Sequence, residues 1–182
     1  MKSLAQYFSL ISLVILFLTA CGDDNDSSLK GEVWPKSGYL FTTDDETDTV
    51  YVESGTIVMT RNFSPEYPID DNTKKWTISK PTKGKGVVIH NDQNEYWSID
   101  SAFHPGLMVE QHFISTVTIT DKSKISNYNR FNYHKGDGNS FYIESVKYPD
   151  FYVHAIGHAE SGRGLRLRNQ ESGTWAFWVD ND

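Results

Sequence analysis

Short runs of alternating apolar and polar residues fill the chain from Val33 onward, and none of them has the 3.6-residue period of a helix. The runs are rich in β-branched and aromatic residues, and Gly or Pro turns separate them at intervals of about 8–12 residues. Strands are predicted at Thr49–Ser54, Thr56–Arg61, Lys75–Ser79, Gly86–His90, Tyr96–Ile99, Leu107–Glu110, Thr116–Thr120, Phe141–Glu144, Phe151–His154, Leu165–Arg168 and Trp175–Val179. Residues 33–182 are therefore predicted to form an all-β domain.

The strand pattern repeats along the chain. Ile99–Glu110 aligns without a gap with Ile143–His154, an offset of 44 residues, and a weaker copy precedes both. Three copies of four strands are what a β-trefoil needs, because three hairpins build a short barrel and three more close one end of it, which leaves no free sheet edge. Each copy is expected to close on an aromatic residue, at Trp76, Phe131 and Phe177.

An immunoglobulin-like sandwich over Thr49–Asp121 is an alternative architecture. It is prompted by the sequence Trp76–Pro81 and by the β-rich run Thr116–Asp121. This alternative would leave about 60 residues as a C-terminal appendage, which counts against it.

Recurring apolar positions predict the core of the barrel, and burial of each side chain is worth roughly 1.5–3 kcal/mol. Some of the aromatic residues, Trp97, Trp175 and Trp178 among them, suit either this core or a platform on which a sugar ring stacks. The predicted core positions are Ile99, Val109, Ile119, Phe131, Ile143, Val153, Leu167 and Phe177.

The N-terminus has the layout of a secretory signal. Met1–Ser3 carries one positive charge, and Leu4–Ala20 is almost uninterrupted apolar sequence. The run ends in Leu18-Thr19-Ala20-Cys21, which resembles the lipobox of bacterial lipoproteins, and Cys21 is the only cysteine in the chain. The resemblance implies a signal peptide at 1–20, lipidation of Cys21, an acidic linker at 21–32 and the β-trefoil domain at 33–182.

Lipidation of Cys21 implies a protein that is anchored to a membrane by acyl chains. Gly22 stands where lipoproteins kept at the inner membrane commonly have Asp, so the resemblance favours the outer membrane. The run Gly22–Ser28 looks like the acidic tether that takes some lipoproteins to the cell surface, although a plain solvated linker has the same composition. The expected localisation is the outer membrane or the cell surface.

Charge and motifs exclude several classes of function. The net charge is −7, and removal of the signal peptide with Lys2 makes it −8, so no general basic field exists to bind nucleic acid. His154 and His158 lie across a predicted strand and loop, where a spacing of four does not bring both rings to one metal ion. The sequence contains no nucleophile elbow, P-loop or dinucleotide fingerprint. We therefore expect no catalysis, no metal and no cofactor.

One segment resembles a known carbohydrate-binding family. Residues 131–153 contain, in this order, Ser140-Phe141, Glu144-Ser145, Tyr148-Pro149 and Tyr152-Val153. The order is similar to the repeat of the arabinofuranose-binding β-trefoil domain of α-L-arabinofuranosidases, and the likeness covers most of residues 95–179. The family's sugar-contacting His falls on Ala155, so the resemblance implies the fold and carbohydrate binding more than an arabinose pocket.

The third copy is the predicted binding site. On a strand, Tyr152 and His154 project to the same side while Val153 turns to the core. Together with Tyr148 they are the predicted carbohydrate-binding residues, facing a loop expected from Ile156 to Gly164.

Arg166 and Arg168 share the solvent face of the next predicted strand. There they either balance local acids or, with Arg163, hold a carboxylated glycan or a phosphate.

The sequence thus predicts a lipid-anchored, extracytoplasmic protein that binds a polysaccharide or glycan without catalysis. The alternative is a cell-surface adhesin or inhibitor that binds a protein partner through its trefoil loops. A sugar site predicts shallow pockets with an aromatic ring beside a carboxylate or amide, whereas a protein-binding surface predicts one continuous patch of loops.

Overall fold

The computed structural model describes residues 31–42, 45–52, 58–62, 75–104, 109–138, 140–158, 162–169 and 175–178. The predicted signal peptide, Cys21 and the predicted linker up to residue 30 lie outside these residues. The strands are β1 (Lys36–Thr42), β2 (Asp45–Val52), β3 (Val58–Asn62), β4 (Lys75–Ser79), β5 (Val88–His90), β6 (Glu95–His104), β7 (Val109–Thr118), β8 (Phe131–Lys135), β9 (Ser140–Ser145), β10 (Tyr152–His158), β11 (Gly162–Arg168) and β12 (Trp175–Trp178). Two 3-10 helices, Lys122–Lys124 and Asn127–Asn129, lie between β7 and β8.

Six strands form a closed ring of antiparallel pairs. β1 pairs with both β12 and β4, and β4 also pairs with β5. Val87, just before β5, bridges to Phe131 at the start of β8. β8 pairs with β9, and β9 pairs with β12. The ring β1-β4-β5-β8-β9-β12 returns to β1, so these strands make a barrel without a free edge.

Three hairpins, β2–β3, β6–β7 and β10–β11, close one end of this barrel. The first strand of each hairpin pairs with the C-terminal part of a barrel strand, at Phe41 of β1, His90 of β5 and Glu144 of β9. β11 then pairs with both β3 and β7, which joins the hairpins to one another. Each of the three predicted copies thus supplies two barrel strands and one hairpin.

The immunoglobulin-like alternative over Thr49–Asp121 is wrong. Strands within that segment pair with strands outside it: β4 with β1, and both β3 and β7 with β11. A self-contained sandwich would complete its sheets within the segment.

Pairing across the ring fixes which residues are equivalent in the three copies. Trp76 lies opposite Gly38, Phe131 opposite Val87, and Trp175 opposite Phe141. The aromatic residue that closes the third copy is therefore Trp175, and the assignment to Phe177 is wrong by two positions. The run Trp175-Ala176-Phe177-Trp178 has three aromatic residues, and spacing alone cannot choose among them.

The gapless offset of 44 residues is also wrong. Ile99 lies on the hairpin strand β6, whereas Ile143 lies on the barrel strand β9. The equivalent of Ile143 is Ile89, because Ile89 pairs with Ile78 as Ile143 pairs with Tyr133. In the second copy the barrel strand β5 has 3 residues and the hairpin strands have 10 each, so a gapless comparison slips by one strand.

The apolar faces of the strands meet in one main core, as the alternating pattern predicts. Ile99, Phe131, Ile143, Val153 and Leu167 are all buried in it. Trp97 and Trp175 are also fully buried, so they serve as core residues and not as sugar platforms.

Ile119 is buried as well, but it packs with Val88 and Tyr96 in a separate small cluster. The side chains of Val109, Phe177 and Trp178 lie outside the described part. In that part, no helix is long and apolar enough to cross a membrane.

Candidate functional site: a cleft beside the third hairpin

The β10–β11 hairpin has one apolar and one polar face. Val153 pairs with Leu167, and both side chains are buried in the core. Opposed residues of an antiparallel pair share a face, so Tyr152 lies with Arg168 and His154 with Arg166 on the other side. The alternation predicted for this segment is therefore confirmed.

The loop predicted from Ile156 to Gly164 is mostly strand. Ile156 pairs with Gly164 and His158 pairs with Gly162, so the hairpin continues well past the expected turn. The predicted cup over the site is wrong, because Gly157, Gly162 and Gly164 suggested a loop where the backbone remains paired.

The structure places the three predicted sugar-binding residues around a cleft and not in its lining. Tyr148 lies in the turn between β9 and β10 and stacks on His112 of β7, with ring centroids 4.0 Å apart. The ring of Tyr152 is 6.1 Å from that of His134. His154 is only 9% exposed and lies across from Arg166. Their role in sugar binding remains a prediction.

The hairpin cleft lies between β7 and β11, with a volume of 170 Å³. This is smaller than the roughly 300–1,000 Å³ of a typical drug-sized pocket, so it suits one ring or a chain end. Its lining is mostly polar and aromatic, with two aliphatic residues: Glu110, Gln111, His112, Phe151, Arg166, Arg168, Ile156 and Leu167.

Glu144 builds the turn that forms one wall of the cleft. Its Oε1 accepts a hydrogen bond from the backbone N–H of Asp150 at 2.8 Å, where the backbone has a left-handed φ of 65°. The Oγ of Ser145 accepts from the N–H of Tyr148 at 2.9 Å. The other carboxylate oxygen, Oε2, lies 2.7 Å from His134 Nε2 and accepts from Asn132 at 3.0 Å. Tyr148 and Phe151 are therefore held beside β7 by a buried carboxylate.

The pKa of the Glu144 carboxyl reflects two opposing effects. Burial raises this pKa, whereas the hydrogen bonds from Asn132, Asp150 and His134 lower it. The hydrogen bonds outweigh burial, so the pKa lies below its ordinary value of 4.5. Glu144 is therefore charged in the folded protein at neutral pH, and its charge is part of what holds the turn.

Glu144→Gln is expected to lower the free energy of unfolding by about 1–3 kcal/mol at pH 7, because it weakens charge-assisted hydrogen bonds to a buried group. A carboxyl with a lowered folded-state pKa stabilises the fold above its unfolded pKa and loses that contribution as pH falls through the folded pKa. The gap between wild type and variant should therefore close below about pH 4.5. Urea unfolding from pH 7 to pH 3 measures it, with exposed Glu110→Gln as control. A gap that stays constant with pH would contradict this role.

Arg166 is held in one orientation. Its guanidinium lies over the ring of Phe113, 4.9 Å from the centroid, and its Nη1 donates to Gln111 Oε1 at 3.0 Å. Its Nε is buried and has no hydrogen-bond acceptor in the described part of the chain. Arg168, two residues on, is exposed. The cleft thus has one fixed and one free guanidinium.

A second, larger cleft of 610 Å³ lies at the opposite end of the barrel, where Glu32, Lys36, Tyr133 and Lys135 are among its lining residues. Its charged groups satisfy one another. Lys36 bonds to Glu32 and to the Tyr133 hydroxyl, and its ammonium lies 5.1 Å from the Tyr133 ring centroid. Burial lowers the pKa of Lys36, but these hydrogen bonds outweigh it and raise the pKa overall. Because the charged groups of this barrel-end cleft bind one another, they are less able to bind a ligand.

Sequence reasoning missed Gln111, His112 and Phe151. The sequence predicts two separate strands, Leu107–Glu110 and Thr116–Thr120, whereas β7 runs unbroken from Val109 to Thr118. The polar stretch Glu110-Gln111-His112 hid the strand, while the aromatic and β-branched residues Phe113, Ile114 and Thr116 were the available signal. Among the described residues, no group of His, Cys, Asp or Glu is arranged to hold a metal ion.

Comparison of the sequence with protein-family models and with curated proteins gives no match. Solved structures do match. Chicken interleukin 1 beta has a TM-score of 0.60 at 12% identity, over 80% of this chain and 96% of its own. A Kunitz-type cysteine protease inhibitor from potato has a TM-score of 0.55 at 14% identity, over 81% of this chain and 91% of its own. Both are β-trefoil proteins.

The fold is a β-trefoil. A mosquitocidal holotoxin also matches, with a TM-score of 0.64 at 16% identity, and the match covers 82% of this chain but only 18% of the toxin. The β-trefoil predicted from the sequence is thus confirmed. At these identities the likeness concerns the fold alone.

Proposed function

We propose that this β-trefoil is a lipid-anchored, extracytoplasmic protein that binds carbohydrate without catalysis, and that the sugar binds in the hairpin cleft. The observation that carries the proposal is the composition of the cleft. Phe151, Gln111 and Arg166 line this one cleft. Aromatic faces pack on the apolar side of a sugar ring, and planar polar groups hydrogen-bond to its hydroxyls.

The position of the hairpin cleft fits a protein that is anchored at one end and binds its ligand at the other. Gly31 and Lys36 line the barrel-end cleft, so the chain enters the domain at that end. The hairpins join the other ends of the barrel strands, at Phe41, His90 and Glu144. A lipid on Cys21 would therefore tether the domain at the end opposite the hairpin cleft.

A glycan array probed with the full chain in detergent tests carbohydrate binding. We expect weak affinity, about millimolar to high micromolar, or roughly 4–6 kcal/mol of binding free energy. Gln111→Ala should weaken binding about tenfold, because it removes one ligand hydrogen bond and the acceptor that fixes Arg166. Gln93→Ala is the matched control, since it removes an exposed amide in a distant turn.

Two outcomes would contradict the proposal. One is equal binding by wild type and Gln111→Ala, which would place the sugar elsewhere. The other is no glycan binding together with capture of a protein, which would favour the adhesin or inhibitor alternative. In that case the exposed ring of Tyr128, with Lys147 4.9 Å from its centroid, is the first surface to test.

Cys21→Ser is expected to release the protein from the membrane fraction and to abolish fatty-acid incorporation, because Cys21 is the only thiol available for acylation. The acyl chains would supply membrane affinity at about 0.8 kcal/mol per buried CH₂. Metabolic labelling with a radioactive fatty acid measures the effect, and Asn25→Ala in the same segment should label normally. Equal labelling of wild type and Cys21→Ser would overturn the lipoprotein assignment.

A further inference from the structure

The lining of the hairpin cleft carries a net positive charge, although the protein as a whole is acidic. Two guanidinium groups, Arg166 and Arg168, line it together with one carboxylate, Glu110. The whole chain has a net charge of −7. A local excess of positive charge in such a chain favours an anionic ligand over a neutral one.

Neither arginine is neutralised by a partner in the described part of the chain. Nη1 of Arg166 donates a hydrogen bond to the neutral amide of Gln111, and its Nε has no acceptor in the described part of the chain. No described side chain hydrogen-bonds to the guanidinium of Arg168 or forms an ion pair with it, and this side chain is exposed. Both therefore keep a positive charge that can attract an entering acid, and exposed Arg168 can also donate hydrogen bonds to it. The barrel-end cleft differs, because Glu32 there is bound by both Lys36 and Lys135.

The geometry of the two arginines suits a small planar acid. They lie on one face of β11 with only Leu167 between them, so their Cα atoms are about 6.5–7 Å apart. A carboxylate placed between them can accept hydrogen bonds from both. The fixed plane of Arg166 reduces the conformational entropy that such a contact costs, since contacts with Phe113 and Gln111 already hold it.

We propose that the hairpin cleft selects a sugar that carries a carboxylate, a uronic acid, with its acid group bound by Arg166 and Arg168 and its ring against Phe151. This inference rests on the proposed function and adds to it the class of sugar. A planar guanidinium group suits a carboxylate, because two of its parallel N–H groups match the two carboxylate oxygens. The aromatic wall favours a ring on which the acid is mounted over a free inorganic anion.

The test compares uronic acid oligosaccharides with their own methyl esters, which keep the rings and remove the charge. Oligomers of galacturonate, glucuronate and mannuronate are titrated into the full chain in detergent, and binding is followed by calorimetry. We expect at least one acid to bind about tenfold more tightly than its ester, which corresponds to about 1.4 kcal/mol. Its affinity should fall as salt is raised, and that of the ester should not.

The variant Arg168→Gln tests whether the acid binds in the hairpin cleft. This variant should lose about tenfold in affinity for the acid and less than twofold for the ester. Arg168→Lys should recover part of the lost affinity, because lysine restores the positive charge but lacks the two parallel N–H groups of a guanidinium. Lys122→Gln removes the same charge from an exposed site between β7 and β8, and it should bind as wild type does.

The outcomes separate this inference from the proposed function. Equal affinity for acid and ester in the cleft would overturn uronic acid selection and leave carbohydrate binding intact. Acid binding that Arg168→Gln does not weaken would also overturn it, because the anion would then bind elsewhere. Failure of every acid, ester and neutral glycan would overturn both proposals.

Discussion

Phe131→Ala is expected to lower the free energy of unfolding by about 3–5 kcal/mol, because removal of a fully buried ring loses its transfer free energy and leaves a cavity. Phe131 is 0% exposed. Its ring meets that of Trp97 edge-on, with centroids 6.1 Å apart. Its backbone pairs with Ser145 of β9 and bridges to Val87, so the residue stands where three strands of the ring meet.

Urea or guanidinium unfolding measures this loss as a shift in the denaturant midpoint. Tyr128→Ala is the matched control, because Tyr128 lies three residues earlier and is 41% exposed, so it should change stability by less than about 1 kcal/mol. A Phe131→Ala midpoint as close to wild type as that of Tyr128→Ala would show that the ring is not part of the core.

The fold could be predicted because the alternating pattern carries the information that a barrel needs. Residues such as Ile143 and Val153 are buried on their strands as period-two alternation requires. What the pattern could not supply was the equivalence of the copies. β5 has 3 residues where β9 has 6, and repeats with strands of different length cannot be aligned without gaps. Backbone pairing, and not side-chain spacing, decides that Ile89 corresponds to Ile143.

The candidate site was less predictable than the fold. The polar face of the third hairpin followed from the alternation of Leu165 and Leu167 with Arg166 and Arg168. The other wall of the cleft comes from β7, and Arg166 meets Phe113 at a separation of 53 residues that no local pattern reveals. A site formed between two copies needs their relative register, which only tertiary pairing fixes.

Gly86→Ala is expected to lower the free energy of unfolding by at least about 3 kcal/mol. The added Cβ strains the backbone, and it also disrupts the backbone pairing between Val87 and Phe131 that joins β5 to β8. Gly86 has a φ of +84°, where an L-residue with a Cβ costs about 1–2 kcal/mol. Its new Cβ would also lie far inside van der Waals contact with the carbonyl oxygen of Phe131. That oxygen accepts the N–H of Val87 at 2.7 Å, and the Phe131 N–H donates back to Val87 at 2.9 Å.

Gly138→Ala separates the two causes. Gly138 has a φ of +60°, but a Cβ there meets nothing within 4 Å, so this variant should cost only the backbone strain of about 1–2 kcal/mol. Denaturant unfolding of both variants gives the difference, and amide hydrogen exchange at Val87 and Phe131 should speed up in Gly86→Ala alone. Equal losses for the two variants would mean that the pair between Val87 and Phe131 does not hold β5 to β8. β5 would then be held in the barrel by its pairs with β4 and β6.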